Sequence, residues 1–228
     1  MDKMKVVILA GGFGTRLSEK TENKPKPMVE IGGYPILWHI MNSYSYHGFN
    51  EFVIALGYKA EMIKDYFYNY HSLNSDFTID LASGDVAYHQ SCSLDWKVTL
   101  VDTGLNSMTG GRIKRLKKYL GNKSFMMTYG DAVADVDLKA LVAFHKRNKK
   151  MMTVTAIHPK THYGELELVG NQVHTFSEKP ELNQTWINGG FFVLEPEILS
   201  LIDGDSTVFE KEPVERAVAV DQVVSFKH

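Results

Sequence analysis

Residues 6–16 read VVILAGGFGTR, an apolar run that breaks directly into a glycine-dense loop. The run VVIL is short and rich in β-branched side chains, which is typical of a buried strand. Gly11, Gly12 and Gly14 follow it. Because glycine has no Cβ and adopts positive φ freely, successive N–H groups of such a loop can converge on an anion. The stretch therefore predicts a strand that feeds an anion-binding loop.

Cationic side chains follow this loop in the sequence: Arg16, Lys24 and Lys26. Beside the loop amides they would neutralise the charge of a polyphosphate. Two better-known glycine loops do not fit. The Walker loop ends in Gly-Lys followed by Ser or Thr, which does not occur here. The dinucleotide-binding fingerprint GxGxxG has Leu17 at the position of its third glycine. The loop predicts a polyphosphate site of a different kind.

The composition is that of an ordinary globular protein. The chain has 228 residues with 25 basic and 27 acidic side chains, a net charge of −2 and an apolar fraction of 44%. This balance argues against a binding surface for nucleic acid or anionic lipid. Cys92 is the only cysteine, so an intrachain disulfide is excluded, as suits a reducing cytoplasm. No apolar run approaches the ~18 residues of a membrane helix, and we expect a cytoplasmic protein.

Strand-like and helix-like segments alternate, which predicts an α/β fold with a mostly parallel central sheet and helices on both faces. The predicted strands are residues 52–56, 78–82, 97–101, 124–128, 151–157 and 189–194. The predicted helices are residues 35–47, 60–71, 111–120, 138–149 and 197–202. Gly170-Asn171 predicts a small β-hairpin between residues 165–169 and 172–176. Ligands of such sheets bind at the carboxyl ends of the strands, so we expect the glycine loop, Gly57 and residues 129–131 at one edge.

Several blocks of sequence resemble the sugar-1-phosphate nucleotidyltransferase family. The blocks are LAGGFGTRL (9–17) with KPKPMVEIGGYPILWHIM (24–41), VTLVDTG (98–104), SMTGGRIKR (107–115), TYGDAVADVD (128–137), and EKP (178–180) with INGGFFVLEP (187–196). The resemblance implies a Rossmann-like nucleotidyltransferase fold. It also implies nucleotidyl transfer, in which a sugar phosphate oxygen attacks the α-phosphorus of a nucleoside triphosphate in line and pyrophosphate leaves.

The members that this sequence most resembles use CTP and glucose 1-phosphate, and their product CDP-glucose feeds the synthesis of surface polysaccharide such as O-antigen. The resemblance further implies Mg²⁺ as the cofactor and a homo-oligomer, hexameric in the family. Relatives carry a second metal-binding aspartate in a segment beyond residue 228, so we expect residues 1–228 to form a single nucleotidyltransferase domain without that segment. Another sugar 1-phosphate or nucleotide stays open, as does a nucleotide-binding protein without turnover.

The resemblance assigns the reacting groups. Arg16 would hold the leaving phosphates, Lys26 would contact the α-phosphate and the attacking phosphate, and Asp131 would bind the metal ion. Lys24 is an alternative to Lys26. Asp131 could instead cap the helix that follows it, since aspartate is a good N-cap residue. A carboxylate with phosphate oxygens beside it suits Mg²⁺, which takes only one or two protein carboxylates.

The remaining site residues fall into a nucleotide side and a sugar side. The predicted nucleotide-binding residues are Leu9, Ala10, Gly11, Gly12, Phe13, Gly14, Thr15, Arg16, Lys26, Ser107, Thr109, Arg112 and Gly130. The predicted sugar-phosphate-binding residues are Tyr163, Gly164, Glu178, Lys179, Asn188 and Gly189, and we expect the hairpin on this side. The basic residues Lys114, Arg115, Lys117 and Lys118 are interpreted as the solvated face of a helix. Asp137 is interpreted as the cap of the helix that begins at Leu138.

Overall fold

The VVIL run lies at the centre of the protein, in strand β1 (Lys5–Leu9). Its side chains are removed from solvent, and Val6, Val7 and Ile8 are fully buried. The computed structural model describes residues 4–14, 24–89, 94–159, 165–177 and 185–228. A strand that is apolar on both faces has to be covered on both faces, which requires a sheet between two layers of helices.

Strands and helices alternate along the chain, as the sequence predicts. The strands after β1 are β2 (Glu30–Ile31), β3 (Tyr34–Pro35), β4 (Glu51–Leu56), β5 (Phe77–Ile79), β6 (Val86–Tyr88), β7 (Lys97–Asp102), β8 (Phe125–Tyr129), β9 (Met152–Ile157), β10 (Glu165–Val169), β11 (Gln172–Ser177), β12 (Ile187–Leu194) and β13 (Val223–Lys227). The α-helices are α1 (Ile36–Tyr46), α2 (Ala60–Tyr68), α3 (Tyr70–Leu73), α4 (Thr109–Arg115), α5 (Lys117–Leu120), α6 (Leu138–Asn148) and α7 (Glu212–Ala219). Residues Lys26–Met28 and Pro196–Leu201 form 3-10 helices.

Within the described residues the central sheet has seven strands, in the order β13-β9-β12-β8-β1-β4-β7. β1 pairs in parallel with both β4 and β8, so that Val7 lies opposite Val53 and Met127. β7 extends the parallel run beyond β4, and β13 pairs in parallel with β9 at the other side. Of these strands only β12 is antiparallel to its neighbours, β8 and β9. The predicted mostly parallel α/β fold is confirmed.

The two faces of the sheet bury separate apolar layers. Val6 and Ile8 of β1 belong to one layer, which α1, α2 and α6 cover. Val7 and Leu9 belong to the other, which α4, α5, α7 and the 3-10 helix Pro196–Leu201 cover. Because alternate residues of a strand point to opposite faces, the continuous apolar run serves both layers. The helices thus occupy the faces of the sheet, and the loops at its carboxyl-terminal edge can form a site.

Small hairpins lie outside the central sheet. β10 and β11 pair antiparallel around Gly170, whose φ of 60° permits the tight turn, and the predicted hairpin is confirmed. The strand predicted at residues 78–82 is the shorter β5, which pairs with β6 rather than with the central sheet. Among the described residues, no helix combines the length and the apolar character that crossing a bilayer requires.

Two predicted helices are divided by turns that the sequence pattern does not reveal. The helix predicted over residues 60–71 is α2 and α3, with the break at Asn69. The helix predicted over residues 111–120 begins earlier, at Thr109, and is α4 and α5 with the break at Leu116. Leu116 is fully buried, so the apolar stripe continues through the break and hides it from a periodicity argument. The prediction missed α7, whose sequence EPVERAVA has no large apolar side chain beyond valine.

Candidate functional site

A cleft of about 690 Å³ opens where the carboxyl ends of β1 and β8 meet. This edge of a parallel sheet is the usual place for a ligand, because the loops that follow neighbouring strands come together there. The cleft is lined by Leu9, Ala10, Gly11, Gly12, Phe13, Gly14, Lys26, Pro27, Leu105, Asn106, Ser107, Met108, Thr109, Arg112, Tyr129, Gly130, Asp131 and Glu210. Every described residue of the predicted nucleotide side therefore borders one cleft.

The glycine loop lies close against the protein behind it. Tyr58 N donates a hydrogen bond to Gly11 O at 3.1 Å. A Cβ on Gly11 would lie 2.3 Å from Nη1 of Arg112, so no larger residue fits without a rearrangement. Gly14 has a φ of 71°, which favours glycine. Gly12 is exposed, and no atom lies within 4 Å of where its Cβ would be. The loop is thus packed on one side and open to the cleft on the other.

Arg112 fixes this loop from inside the protein. The side chain is nearly completely buried, at 4% exposure, and burial lowers the pKa of its guanidinium. Its Nη atoms donate at 2.7–3.1 Å to the carbonyl oxygens of Gly11, Leu56, Gly104 and Leu105 and to Oγ1 of Thr103. The guanidinium therefore joins the loops after β1, β4 and β7. A contact of Arg112 with the nucleotide in addition to these stays a prediction.

Lys26 and Asp131 meet at the cleft, with Nζ of the lysine 3.5 Å from Oδ2 of the aspartate. The lysine side chain is 19% exposed and the aspartate side chain 46% exposed. Lys26 belongs to the 3-10 helix Lys26–Met28, whereas Asp131 follows the end of β8. Lys24 instead pairs with Glu30 at 2.7 Å and does not line the cleft. Of the two lysines, the structure favours Lys26 as the residue that faces a ligand.

Asp131 does not cap the helix that follows it. Helix α6 begins at Leu138, and the Asp137 carboxylate accepts a hydrogen bond from Ala140 N at 2.9 Å. The predicted cap is confirmed, and the capping alternative for Asp131 is excluded. In the described part of the chain no three His, Cys, Asp or Glu side chains form a group that could hold a metal ion. A single carboxylate such as Asp131 is compatible with Mg²⁺, which often takes only one or two protein carboxylates and binds phosphate oxygens and water besides.

The two predicted hydroxyls near α4 already have partners within the protein. Ser107 Oγ donates to Thr103 O at 2.6 Å. Thr109 Oγ1 donates to Glu210 Oε2 at 2.6 Å and accepts from Phe209 N at 2.8 Å. A hydroxyl that donates its proton inside the protein meets a ligand mainly as an acceptor. Direct contacts of these side chains with a nucleotide stay predictions.

Six residues that line the cleft were not predicted to bind a ligand: Pro27, Leu105, Asn106, Met108, Tyr129 and Glu210. Among them, Tyr129 was expected at this edge of the sheet but without a role, and it forms a hydrogen bond with Glu210. Tyr129 Oη donates to Glu210 Oε1 at 2.6 Å. Burial of the ring and the neighbouring Glu210 carboxylate raise the pKa of Tyr129, so the hydroxyl keeps its proton. Tyr129 could have been found, because it stands between Thr128 and Asp131 in a block that carries the resemblance. Glu210 had no such signal, since one acidic residue in an exposed loop is ordinary.

On the sugar side the structure describes only Asn188 and Gly189. Asn188 is exposed near the start of β12, where its side chain lies close to the Tyr129 hydroxyl and accepts a hydrogen bond from Gly190 N at 2.8 Å. A Cβ on Gly189 would lie 2.7 Å from Oγ1 of Thr155, so this glycine is required by close packing. The other predicted site residues lie outside the described residues: Thr15, Arg16, Tyr163, Gly164, Glu178 and Lys179.

The basic residues on α4 and α5 are exposed, as predicted, but two of them also fasten α4 in place. Arg115 forms a bidentate ion pair with Asp205, at 2.8 and 2.5 Å, and these hydrogen bonds lower the pKa of the Asp205 carboxyl. Lys114 Nζ donates to carbonyl oxygens of the loop before α7. Lys117 and Lys118 are exposed. These contacts of exposed side chains fix the position of α4, the helix that borders the cleft.

The chain is similar in sequence to a family of known proteins. The family model described as nucleotidyl transferase matches residues 5–224. The chain is 51% identical over 226 residues to the glucose-1-phosphate cytidylyltransferase of Salmonella typhi, covering 99% of this chain and 88% of that protein. It is 42% identical over 226 residues to the probable glucose-1-phosphate cytidylyltransferase of Bacillus subtilis, with the same coverage.

A solved structure agrees with these matches. The crystal structure of HddC from Yersinia pseudotuberculosis complexed with GMP-PN superposes with a TM-score of 0.68, over 99% of this chain and 90% of that one, at 25% sequence identity. The similarity therefore covers nearly the whole chain in sequence and in fold.

Proposed function

Because the chain belongs to the nucleotidyl transferase family, we propose that it transfers the cytidylyl group of CTP to α-D-glucose 1-phosphate, giving CDP-glucose and pyrophosphate. The observation that carries the proposal is the approach of Lys26 to Asp131 at 3.5 Å beside the glycine loop, in one cleft. An ammonium group, a carboxylate and converging amides are the groups that a triphosphate with its cation requires. The choice of cytosine and glucose rests on the relative that is 51% identical.

The reaction asks the protein to hold anions together rather than to form covalent bonds with them. An oxygen of the sugar phosphate attacks the α-phosphorus, the bond from that phosphorus to the bridging oxygen breaks, and pyrophosphate leaves with the electron pair. The attacking oxygen already carries negative charge near neutral pH, so no base has to remove a proton. Lys26 reduces the repulsion between the two phosphates and stabilises charge on the α-phosphoryl oxygens. The amides of the glycine loop hold the phosphates that leave.

Asp131 fits the role of a Mg²⁺ ligand, since its half-exposed carboxylate lies in the cleft beside one ammonium group. The bound cation would neutralise phosphate charge and help to fix the geometry of the triphosphate. Arg16 and Thr15 would complete the contacts of the leaving phosphates. On the sugar side we assign Glu178 to the glucose hydroxyls and Lys179 to the sugar phosphate, with Tyr163, Gly164, Asn188 and Gly189 around them.

Further parts of this proposal concern the organisation of the protein. Residues 1–228 would form one nucleotidyltransferase domain, and the chain would act in the cytoplasm, where CTP is available. A homo-oligomer, hexameric as in the family, stays a prediction that light scattering coupled to size-exclusion chromatography tests.

The experiment is a pyrophosphate-release assay with Mg²⁺, glucose 1-phosphate and one of CTP, UTP, GTP or dTTP. We expect turnover with CTP to exceed turnover with the others, and mass spectrometry to identify CDP-glucose. Lys26→Gln should lower kcat/KM at least about a hundredfold, because a charge that stabilises the transition state is lost. The matched control is Lys24→Gln, which removes an exposed lysine outside the cleft and should change kcat/KM by less than about threefold.

Three results would contradict the proposal or one of its parts. Saturable CTP binding without pyrophosphate release would indicate a nucleotide-binding protein instead of an enzyme. Equal losses of kcat/KM in Lys26→Gln and Lys24→Gln would show that Lys26 has no specific role in the reaction. Omission of Mg²⁺ with EDTA present should abolish turnover in the wild type, and full activity under those conditions would exclude the assigned role of Asp131.

A further inference from the structure

One carboxylate connects two sides of the cleft. Glu210 Oε2 accepts the hydroxyl proton of Thr109 at 2.6 Å, and Glu210 Oε1 accepts the hydroxyl proton of Tyr129 at 2.6 Å. Thr109 begins α4, on the predicted nucleotide side, and Tyr129 ends β8, just before Asp131. Distances of this length are typical of hydrogen bonds from a hydroxyl to an ionised oxygen, which are about twice as strong as neutral ones.

The backbone around Glu210 is held firmly, so its carboxylate has a defined position. Phe209 is fully buried, and its N–H donates to Oγ1 of Thr109 at 2.8 Å. Met108 N donates to Asp205 O at 2.8 Å and Gly110 N donates to Thr207 O at 3.0 Å. The segment before α7 and the start of α4 therefore move together. A carboxylate on such a support can fix the groups that it contacts.

A carboxylate is an unexpected residue in a cleft that receives polyphosphate. Its negative charge repels the phosphates and weakens their binding by an amount that depends on distance and solvent. Within the described residues the partners of Glu210 are hydroxyl groups rather than cations. The Glu210 carboxylate therefore weakens anion binding, and its hydrogen bonds have to offset this loss. Those hydrogen bonds, to Thr109 and Tyr129, join the start of α4 to the end of β8.

We propose that Glu210 is a positioning residue of the nucleotidyl transfer, which sets the spacing between the start of α4 and the end of β8. The inference rests on the proposed function and deepens it. Thr109 lies with the loop that contacts the nucleotide, whereas Tyr129 lies next to the metal-binding aspartate and close to Asn188 on the sugar side. An error of about 1 Å between two reacting groups can lower a rate about a hundredfold. The carboxylate holds that spacing through its two short hydrogen bonds.

The test compares Glu210→Gln with Glu212→Gln in the pyrophosphate-release assay with CTP, Mg²⁺ and glucose 1-phosphate. Glu212 undergoes the same chemical change in the first turn of α7 and does not line the cleft. We expect Glu210→Gln to lower kcat at saturating substrates at least about tenfold, with a smaller change in the KM of CTP. Glu212→Gln should keep kcat within about twofold. Far-ultraviolet circular dichroism and the melting temperature check that each variant is folded.

Thr109→Val and Tyr129→Phe remove one donor each and provide a second route if Glu210→Gln does not fold. Each should lower kcat about threefold to tenfold on its own. Combined with Glu210→Gln, each should add less than its separate effect, because the contact is already lost.

The outcomes separate this inference from the proposed function. If the wild type turns over CTP and the Glu210→Gln enzyme keeps its kcat, or changes only in the KM of CTP, the positioning role is overturned and the enzyme assignment stands. Fully additive losses with Thr109→Val and Tyr129→Phe overturn the role in the same way. If the wild type turns over no nucleotide, the proposed function fails and the inference fails with it.

Discussion

Arg112 joins loops that follow different strands of the sheet. Its guanidinium donates to the carbonyl oxygens of Gly11, Leu56 and Gly104, which come after β1, at the end of β4 and after β7. A guanidinium can do this because its donors lie in a fixed plane and point in several directions, whereas an ammonium group is a single point. The shape of the glycine loop thus depends on a side chain that is almost completely buried.

Replacing Arg112 by lysine should therefore destabilise the protein and damage the site. We expect Arg112→Lys to lower the free energy of unfolding by about 3 kcal/mol, because buried carbonyl oxygens lose their donors. The KM of CTP should rise in the same variant. Urea unfolding and the pyrophosphate assay measure the two effects. Arg147→Lys, on the exposed face of α6, is the control and should unfold like the wild type. Equal free energies of unfolding for Arg112→Lys and Arg147→Lys would show that the hydrogen bonds of Arg112 do not stabilise these loops.

Tyr44 is expected to make the free energy of unfolding depend on pH. The side chain is fully buried on α1, Thr128 lies beside its hydroxyl without forming a hydrogen bond of good geometry, and burial raises the pKa of the hydroxyl. The raised pKa means that the folded state keeps the proton more tightly than the unfolded state, whose tyrosines titrate near pH 10. This contribution to stability is complete below about pH 10 and is lost as the pH rises further.

Tyr44→Phe should remove both the buried hydroxyl and its titration. We expect its free energy of unfolding near pH 7 to equal that of the wild type or exceed it by about 1 kcal/mol, because an unpaired buried hydroxyl is removed. Above about pH 10 the variant should lose stability less steeply than the wild type. Guanidinium unfolding at several pH values measures this. A strong loss of stability at pH 7 would show that the hydroxyl has a partner.

Sequence reasoning identified individual site residues where they belong to a recognisable motif. The block TYGDAVADVD pointed to Asp131, and the structure brings Asp131 to Lys26. The same reasoning selected Arg112 for a contact with a ligand, yet it could not reveal that the guanidinium binds carbonyl oxygens from distant loops. Such contacts depend on how three strands end side by side, and neither spacing nor composition encodes that. Glu210 was missed for the same reason.

Helix α4 is an element whose position depends on its glycines. Gly110 and Gly111 lie where the helix meets residues 205–207, and a Cβ on Gly111 would be 2.5 Å from Cα of Asp205. The close approach allows Gly110 N to donate to Thr207 O at 3.0 Å. From this block of sequence, Ser107, Thr109 and Arg112 were predicted to bind a nucleotide. The structure shows in addition that these glycines let two backbones touch.

Gly111→Ala should push α4 away from this contact. Because the neighbouring atoms are backbone, they cannot move aside cheaply, and we expect a loss of about 2 kcal/mol in the free energy of unfolding. The kcat should fall as well, since Thr109 begins the same helix. Gly204→Ala is the matched control, because no atom lies within 4 Å of its Cβ position. Differential scanning fluorimetry compares the two, and equal melting temperatures would contradict the close packing.

The elements themselves were largely predictable. Runs such as VVIL and FVIAL are strands, and the amphipathic segments that follow are helices, because apolar residues repeat with the periods of these structures. The breaks at Asn69 and Leu116 were not predictable, since an apolar stripe can continue through a tight turn. Helix α7 was not predicted because it contributes little apolar area, with only Pro213 and Ala217 buried.

For the whole molecule, the alternation of strands and helices predicted the fold class but not the order of strands. The order β13-β9-β12-β8-β1-β4-β7 places β1 between partners that are distant in sequence. This order depends on long-range packing in both apolar layers. The family resemblance supplied what the periodicity could not, and the match over residues 5–224 confirms it.

A ligand that binds the folded state should stabilise the molecule as a whole. At a concentration one hundred times its dissociation constant, CTP with Mg²⁺ should add about 2.7 kcal/mol to the free energy of unfolding. The melting temperature should rise accordingly in the wild type. The rise should be smaller for Lys26→Gln and unchanged for Lys24→Gln at the same nucleotide concentration. Thermal unfolding that is insensitive to CTP in all three proteins would contradict nucleotide binding in the cleft.

The reversed direction of β12 has a consequence for how such enzymes diversify. β9 leaves the sheet at Ile157, and β12 enters it at Ile187, directly opposite. Of the residues between these two points, the structure describes the hairpin β10–β11, which pairs with none of the central strands. If the proposed sugar side is correct, exchanging the hairpin β10–β11 for that of a homologue should alter the choice of sugar phosphate, while the pairing of the central strands stays intact.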